Sequence, residues 1–319
     1  MVRFVIRRMV FGLITLWVVV TLVFILYYVV PNDPARLIAG RQASAATLAA
    51  VRRTLGFDKP VLWRYGHYLL QLVHGDLGTS YVHDEPVTEV IANALPVDIS
   101  LAFGASILWL GMGLGIGMTA ARRPRSLRDR MATVFALTGI SFPTFVLGLL
   151  LLYVFFYEAH LNGFTFFPQG GYAPFTDGVW EWFKHLLLPW FTLAFVTAAT
   201  YARLSRSTLL EALGEDYIRT ARAKGLSENR VMYRHALRSA LTPIVTQFGI
   251  DVAGVIGGVV LTEQVFGLNG LGKAAVFSIT TQDLPVIIGI TLVASFFVIA
   301  ANIVVDVVYA FLDPRVRLA

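Results

Sequence analysis

The 319-residue chain contains no cysteine, so disulfides and thiol-ligated metal are excluded. Charge is scarce as well: Asp, Glu, Lys and Arg together make up 14% of the residues, against about a quarter in an ordinary soluble domain. Histidine offers no metal motif. There is no His-Glu-x-x-His, and His67, His74 and His83 share one segment without a ligand spacing. No nucleophile elbow or acid/base pair is recognisable, which leaves enzymatic catalysis without a candidate. Internal repeats and low-complexity tracts are missing too. The nearest approach to a nucleotide site runs from Gly267 to Ala274, with Gly272-Lys273 at P-loop spacing. Ala274 stands where a P-loop needs a hydroxyl for magnesium, so no cofactor site is expected in this chain.

What the chain has is apolar length. Hydrophobic residues make up 56% of it and its mean hydropathy is +0.68, a membrane composition. The formal net charge of +6 could suggest nucleic acid, but the basic residues cluster in short segments between apolar spans. Membrane orientation requires that placement, so no nucleic-acid partner is expected.

Arg3, Arg7 and Arg8 precede an uncharged run from Met9 to Val30, closed by Pro31. A bilayer crossing takes about 20 residues, and no cleavage signal follows, so residues 1–31 read as an uncleaved first helix. Residues 32–96 are polar with mixed charge and read as an extracytoplasmic segment, with Gly75 and Gly78 supplying turns. Five further helices are predicted at about 98–121, 131–157, 186–205, 242–262 and 285–312, before a tail at 313–319. Gly111/Gly115 and Gly113/Gly117 in the second span are overlapping small-residue pairs that let helices approach closely. Pro143 marks a kink in the third, with a gating role as one use and tolerated irregularity as the other. The aromatic segment 158–184, with Trp180 and Trp182, belongs at the outer interface. Every short basic segment then falls on one side. The expected fold is all-α with six transmembrane helices, and both termini are expected in the cytoplasm of a cell whose lipid bilayer the chain spans.

One basic island interrupts the apolar pattern, from Glu215 to Arg238, and carries Arg219, Arg222, Lys224, Arg230 and Arg234. Asp216 can cap a short helix that Gly225 ends in the left-handed conformation. Ser227 can cap a second, with Glu228 near its positive end. Two helices bent at a glycine suggest a docking surface; a solvated loop that only enforces topology is the alternative.

The island resembles the EAA loop of bacterial ABC-importer permeases. Arg219-Thr220-Ala221 stands where the family has Glu-Ala-Ala, Gly225 matches the family glycine, and His235-Ala236-Leu237-Arg238 falls where the loop ends. The wording from Tyr217 to Leu226 is similar to the dipeptide, oligopeptide and nickel branch, and in particular to the dipeptide and oligopeptide permease B subunits. The likeness covers nearly the whole chain: Leu95-Pro96, Gly139 to Pro143, Glu263 to Gly267, Gly270-Leu271-Gly272, Asp283-Leu284-Pro285, Asn302 to Asp306 and Asp313-Pro314-Arg315. It departs at Asn269, where the branch has proline, and at Asp251, where an uncharged residue is expected.

The resemblance implies an ABC importer type I permease core over 97–312, with an EAA-like coupling loop at 211–240. It implies as coupling residues Arg219, Ala221, Arg222, Gly225, Leu226 and Leu237. It also implies partners: a second homologous permease, two ATPase subunits that bind ATP and magnesium, and an extracytoplasmic substrate-binding protein. The expected setting is the bacterial cytoplasmic membrane, and the expected cargo a di- or oligopeptide, with nickel or another small solute as the alternative.

Asp251 is the most informative residue within a span. A carboxylate there costs about 2.5–3.5 kcal/mol on insertion scales, so it is expected to face protein or a wet cavity. Gln247 lies one helical turn away. Lining the translocation pathway, with Pro143, and serving as a structural acid both remain open. A gradient-driven transporter that uses Asp251 as its ion carrier is the rival from another class. Asp306, with Asn302 on its face, is expected to anchor a basic loop residue.

Overall fold

The computed structural model describes residues 2–26, 35–36, 43–54, 56 and 58–312, and the regular structure among them is helical. Pro31 and the tail 313–319 lie outside the described residues. In chain order the helices are α1 (Val2–Phe24), α2 (Ala45–Thr54), α3 (Val61–Val73), α4 (Val87–Arg122) and α5 (Leu127–Ser141). Then come α6 (Thr144–Leu161), α7 (Val179–Gly214), α8 (Asp216–Ala223) and α9 (Glu228–Ile256). The last three are α10 (Val260–Val265), α11 (Leu271–Thr281) and α12 (Leu284–Leu312). Among the described residues six helices are long and apolar enough to cross a membrane: α1, α4, α6, α7, α9 and α12.

The helix bounds differ from those expected, mostly at proline and glycine. Pro96 lies inside α4, so that helix starts at Val87 rather than after the proline, and α7, with Pro189 inside it as expected, starts earlier, at Val179. A proline removes one N–H donor, and the buried stripe Val87, Ile91, Ala94 carries α4 through it. The third span is divided. Phe142 is extended before Pro143, which sits at the N-cap of α6, so the expected kink is a full break. A π-helical stretch, Leu152–Glu158, follows within α6. α9 begins inside the basic island and ends at Ile256, because Gly258 turns the chain with φ +108°.

The most extensive helix pairing is α4 on α7. A Cβ on Gly113 would lie 2.3 Å from the Tyr201 Cβ, and one on Gly117 would lie 1.8 Å from the Ser205 Oγ. Gly111 and Gly115 face open space. Of the two overlapping small-residue patterns, only Gly113/Gly117 is therefore used between these helices. Around this seam Leu101, Trp109, Leu186, Ala194 and Tyr201 form the main core. α9 packs on α12, which also receives α1. There Arg8 and Asp306 form a 3.0 Å ion pair. The expected loop partner of Asp306 is thus replaced by a residue of α1, which Gly12 lets lie close along α12 beside Ile299 and Ile303.

Candidate functional site

At the arginine-rich end, α8 carries the first half of the basic island. Glu215 holds the N-cap position and Asp216 the first helical one, so the expected cap shifts by a residue. Asp216 instead pairs with Arg219 at 3.2 Å, with both side chains largely exposed. The end of α8 is a Schellman turn. The Gly225 N–H donates to the Arg222 carbonyl at 2.9 Å, and the Leu226 N–H to the Ala221 carbonyl at 3.3 Å. Gly225 has φ +76° and a Cβ there would touch nothing within 4 Å, so backbone conformation rather than crowding requires the glycine. Ser227 holds the N-cap of α9 without a side-chain bond to the helix.

Across this bend the Arg222 guanidinium donates twice to Glu228, at 2.9 and 3.2 Å. Ile218, Ala221, Val231, Met232 and Ala236 are buried together with Leu209 and Ala212 of α7, and Leu226 and Leu237 pack against them. Val231–Ala236 is π-helical, which lets Val231, Met232 and Ala236 all reach this cluster. The loop 215–238 is therefore a packed subdomain on the ends of α4, α7 and α9. Arg219 and Arg222 remain at its surface.

Within the bundle, Asp251 is half-buried and both its oxygens are occupied. Gln247 Nε2 donates to Oδ1 at 2.9 Å, and Tyr201 Oη donates to Oδ2 at 2.8 Å. The structure thus joins Gln247 and Asp251 and adds Tyr201 from α7, which no local spacing could indicate. Trp109 lies against Tyr201 and Phe248, with ring centroids 6.4 and 6.2 Å apart. Pro143 stands apart, exposed at the α5–α6 break.

The opposite end holds two fully buried acids, Asp98 and Glu263. Asp98 Oδ2 accepts the Leu271 N–H at 2.7 Å. Glu263 accepts the Val259 N–H at 2.8 Å and the Lys273 N–H at 2.7 Å. A Cβ on Gly270 would lie 2.7 Å from Glu263 Oε2 and 3.0 Å from Asp98 Oδ1, so both carboxyl groups close around that glycine. The glycine-rich stretch that approaches a P-loop in sequence therefore turns its backbone donors onto the chain's own carboxylates. Sequence reasoning missed both acids because each flanks an uncharged run and reads as polar margin. After the C-terminal end of α11, Asp283, also buried, accepts the Ser80 hydroxyl at 2.5 Å and the Tyr81 N–H at 3.0 Å. This bond ties the segment after α3 to the start of α12.

The profile of the family described as "Binding-protein-dependent transport system inner membrane component" matches residues 113–318. A companion profile for the N-terminal part of such membrane components matches residues 1–102. The glutathione transport system permease protein of Salmonella typhimurium is 39% identical over 317 residues, covering 99% of each chain. A Brucella abortus protein named as a permease of a peptide transport system is 40% identical over the same length, again covering 99% of each. Among solved structures, a chain of an amino acid ABC transporter crystallised with histidines superposes with a TM-score of 0.50. That match is 15% identical and covers 70% of this chain and 94% of that one, so it speaks for the fold alone. With both profiles matched along its length, the chain belongs to the inner membrane components of binding-protein-dependent transport systems, the permease subunits of ABC importers.

Proposed function

We propose that this permease moves peptides inward across the cytoplasmic membrane, driven by separate ATPase subunits that dock on the loop 215–238. The observation that carries the reading is the build of that loop. A two-helix unit closed by a Schellman turn sits on one apolar cluster with α7 and α9, so a push on α8 reaches two spanning helices. ATP and magnesium belong to the ATPases in this reading. The chain's own glycine-rich segment lacks the hydroxyl a nucleotide site needs and already spends its donors on Asp98 and Glu263. Relatives named for peptide and glutathione transport favour a peptide cargo over nickel. The assembled importer has a second, similar permease, two ATPases and an extracytoplasmic binding protein. The arginine-rich end and both termini face the cytoplasm, in line with the bias of basic loops, and the segment between the first two spans lies outside.

ATP-driven closure of the ATPases biases two states of the helix bundle, one open outward and one inward. Asp251 borders the pathway and, held by Tyr201 and Gln247, presents a fixed acceptor to a cationic group such as a peptide amino terminus. Purification of the tagged chain from native membranes is expected to bring down a second permease and ATPase subunits. Gly225→Trp, which forces a side chain onto a left-handed backbone, is expected to insert normally yet lose the ATPases and uptake. A lone protein with ATP-independent uptake would refute the reading and favour a gradient-driven carrier using Asp251.

A further inference from the structure

Beside the coupling loop lies a groove of about 570 Å³ between the α4–α5 turn and the start of α9. Its polar wall carries Arg122, Arg123, Arg128, Arg222, Glu228 and Asn229. Four of these groups form a fixed frame. Arg222 and Glu228 pair with one another, and Arg122 donates to Asn229 and lies 5.2 Å over the Tyr233 ring. The guanidinium groups of Arg123 and Arg128 have no partner among the described residues. The nearby acid, Asp129, is spent on Arg206. Arg128 also occupies the first turn of α5, where the helix's own positive end opposes a cation. Four guanidinium groups on one wall against a single, already paired carboxylate lack a counter-anion.

The remaining wall is apolar. Ala121, Leu210, Leu213 and Met232 line it. Ala121 ends the uncharged stretch of α4, so the groove opens where hydrocarbon gives way to headgroups. Basic pockets between spanning helices at this depth suit phosphate headgroups, and the planar guanidinium fork binds phosphate oxygens in pairs. The exposed face of α8, with Tyr217 and Arg219, is separate from this groove and stays free for a protein partner.

We propose that the groove binds the headgroup of an anionic phospholipid, which clamps the α4–α5 turn to the coupling loop. Arg123 and Arg128 hold the phosphate, and Leu210 and Leu213 take the glycerol and upper acyl carbons.

The test uses the full chain in nanodiscs of equal phosphatidylglycerol and phosphatidylcholine, with bound lipid read by native mass spectrometry. Phosphatidylglycerol is expected to be retained preferentially. R123Q/R128Q is expected to lower that preference roughly twenty-five-fold, at roughly fivefold for each arginine near the surface. R123K/R128K should keep most of it, and R219Q all of it. Equal retention of the two lipids, or a preference that survives R123Q/R128Q, overturns the proposal. So does displacement of the lipid by millimolar inorganic phosphate, which would make the groove a site for a soluble anion. In the assembled importer, a photocrosslinker at Thr119 is expected to capture lipid. Capture of an ATPase subunit instead would reassign the groove to a protein contact and overturn the lipid assignment.

Discussion

The two ends of the bundle are held in opposite ways. Away from the arginines, Asp98, Glu263 and Asp283 are buried, and each accepts backbone N–H groups from a segment distant in sequence or across a sharp turn. At the arginine-rich end the polar pairs are exposed: Arg222 and Glu228 keep 42% and 72% of their side-chain surface, and Arg219 and Asp216 keep more. A hydrogen bond to a buried carboxyl group is costly to break because the donor left behind stays unsatisfied, whereas an exposed pair exchanges readily with water. The first end is therefore built to keep one arrangement. The second is built so that its apolar underside, rather than its charges, holds it in place. If, as proposed, ATPases dock on the loop 215–238, this asymmetry puts compliance where the motor acts.

The comparison breaks most clearly at Glu263. Glu263→Leu leaves the part-buried Val259 and Lys273 N–H groups without their acceptor, at about 1–3 kcal/mol for each donor. A loss of about 4 kcal/mol is expected, seen as a large fall in the thermal midpoint of the purified protein in detergent. Glu263→Gln keeps one acceptor and should fall between. An unchanged midpoint for Glu263→Leu would remove the claim that this end is the rigid one.

Asp129 is the exception at the arginine-rich end and sharpens the contrast. It is buried, and Arg206 donates to it at 2.5 and 3.0 Å while the Arg125 N–H adds a third bond at 2.8 Å. The Arg206 hydrogen bonds hold its carboxyl below the usual carboxylate range, outweighing the opposing effect of burial. A depressed folded value means that the ionised group stabilises the fold fully above about pH 4, the unfolded value. The contribution is lost as pH falls from there through the lower folded value. Asp129→Asn is expected to cost about 2–3 kcal/mol at neutral pH, less than for a fully buried pair because Arg206 is partly exposed. It should also flatten the acid limb of the stability profile. A variant whose midpoint falls with acid as steeply as the parent's would contradict this.

Much of the first-order plan was legible in the residues. Uncharged runs between basic segments marked six crossings, and the left-handed Gly225 after Ala223-Lys224 was readable from turn chemistry alone. The i,i+4 spacing placed Gln247 on Asp251. Three kinds of feature were not legible. Pro96 reads as a boundary, yet packing carries α4 through it. The π-helical Val231–Ala236 is a register change set by which side chains must reach the cluster below, and a single sequence does not display that demand. Asp98–Glu263 and Tyr201–Asp251 are long-range pairings, created only when helices assemble. Of the candidate pathway residues, Asp251 stood out because a lone acid inside a span is expensive. Asp98 and Glu263 escaped because they sit at its edge.

The smallest effects are expected on the surface of the loop 215–238, and there stability and function should part company. Arg222→Gln removes an exposed pair with Glu228, which at such exposure contributes about 0.2–1 kcal/mol, so the melting midpoint should barely move. Gly225→Ala should cost only a little more, about 1 kcal/mol, because open space surrounds the Cβ and the penalty is the left-handed backbone alone. Neither change touches the buried residues that seat α8. If the loop were merely a solvated topology signal, both variants would transport normally in proteoliposomes supplied with the ATPases and binding protein. If it transmits motion, Arg222→Gln frees the bend between α8 and α9 to flex, and uptake per ATP hydrolysed should drop several-fold while ATPase activity persists. A ratio of transport to hydrolysis that stays at the parental value would show that the Arg222–Glu228 bridge is only a surface ion pair. Stiffness of the loop would then rest on Ile218, Ala221 and Met232 beneath it, and substitution of those buried residues would have to produce the uncoupling instead.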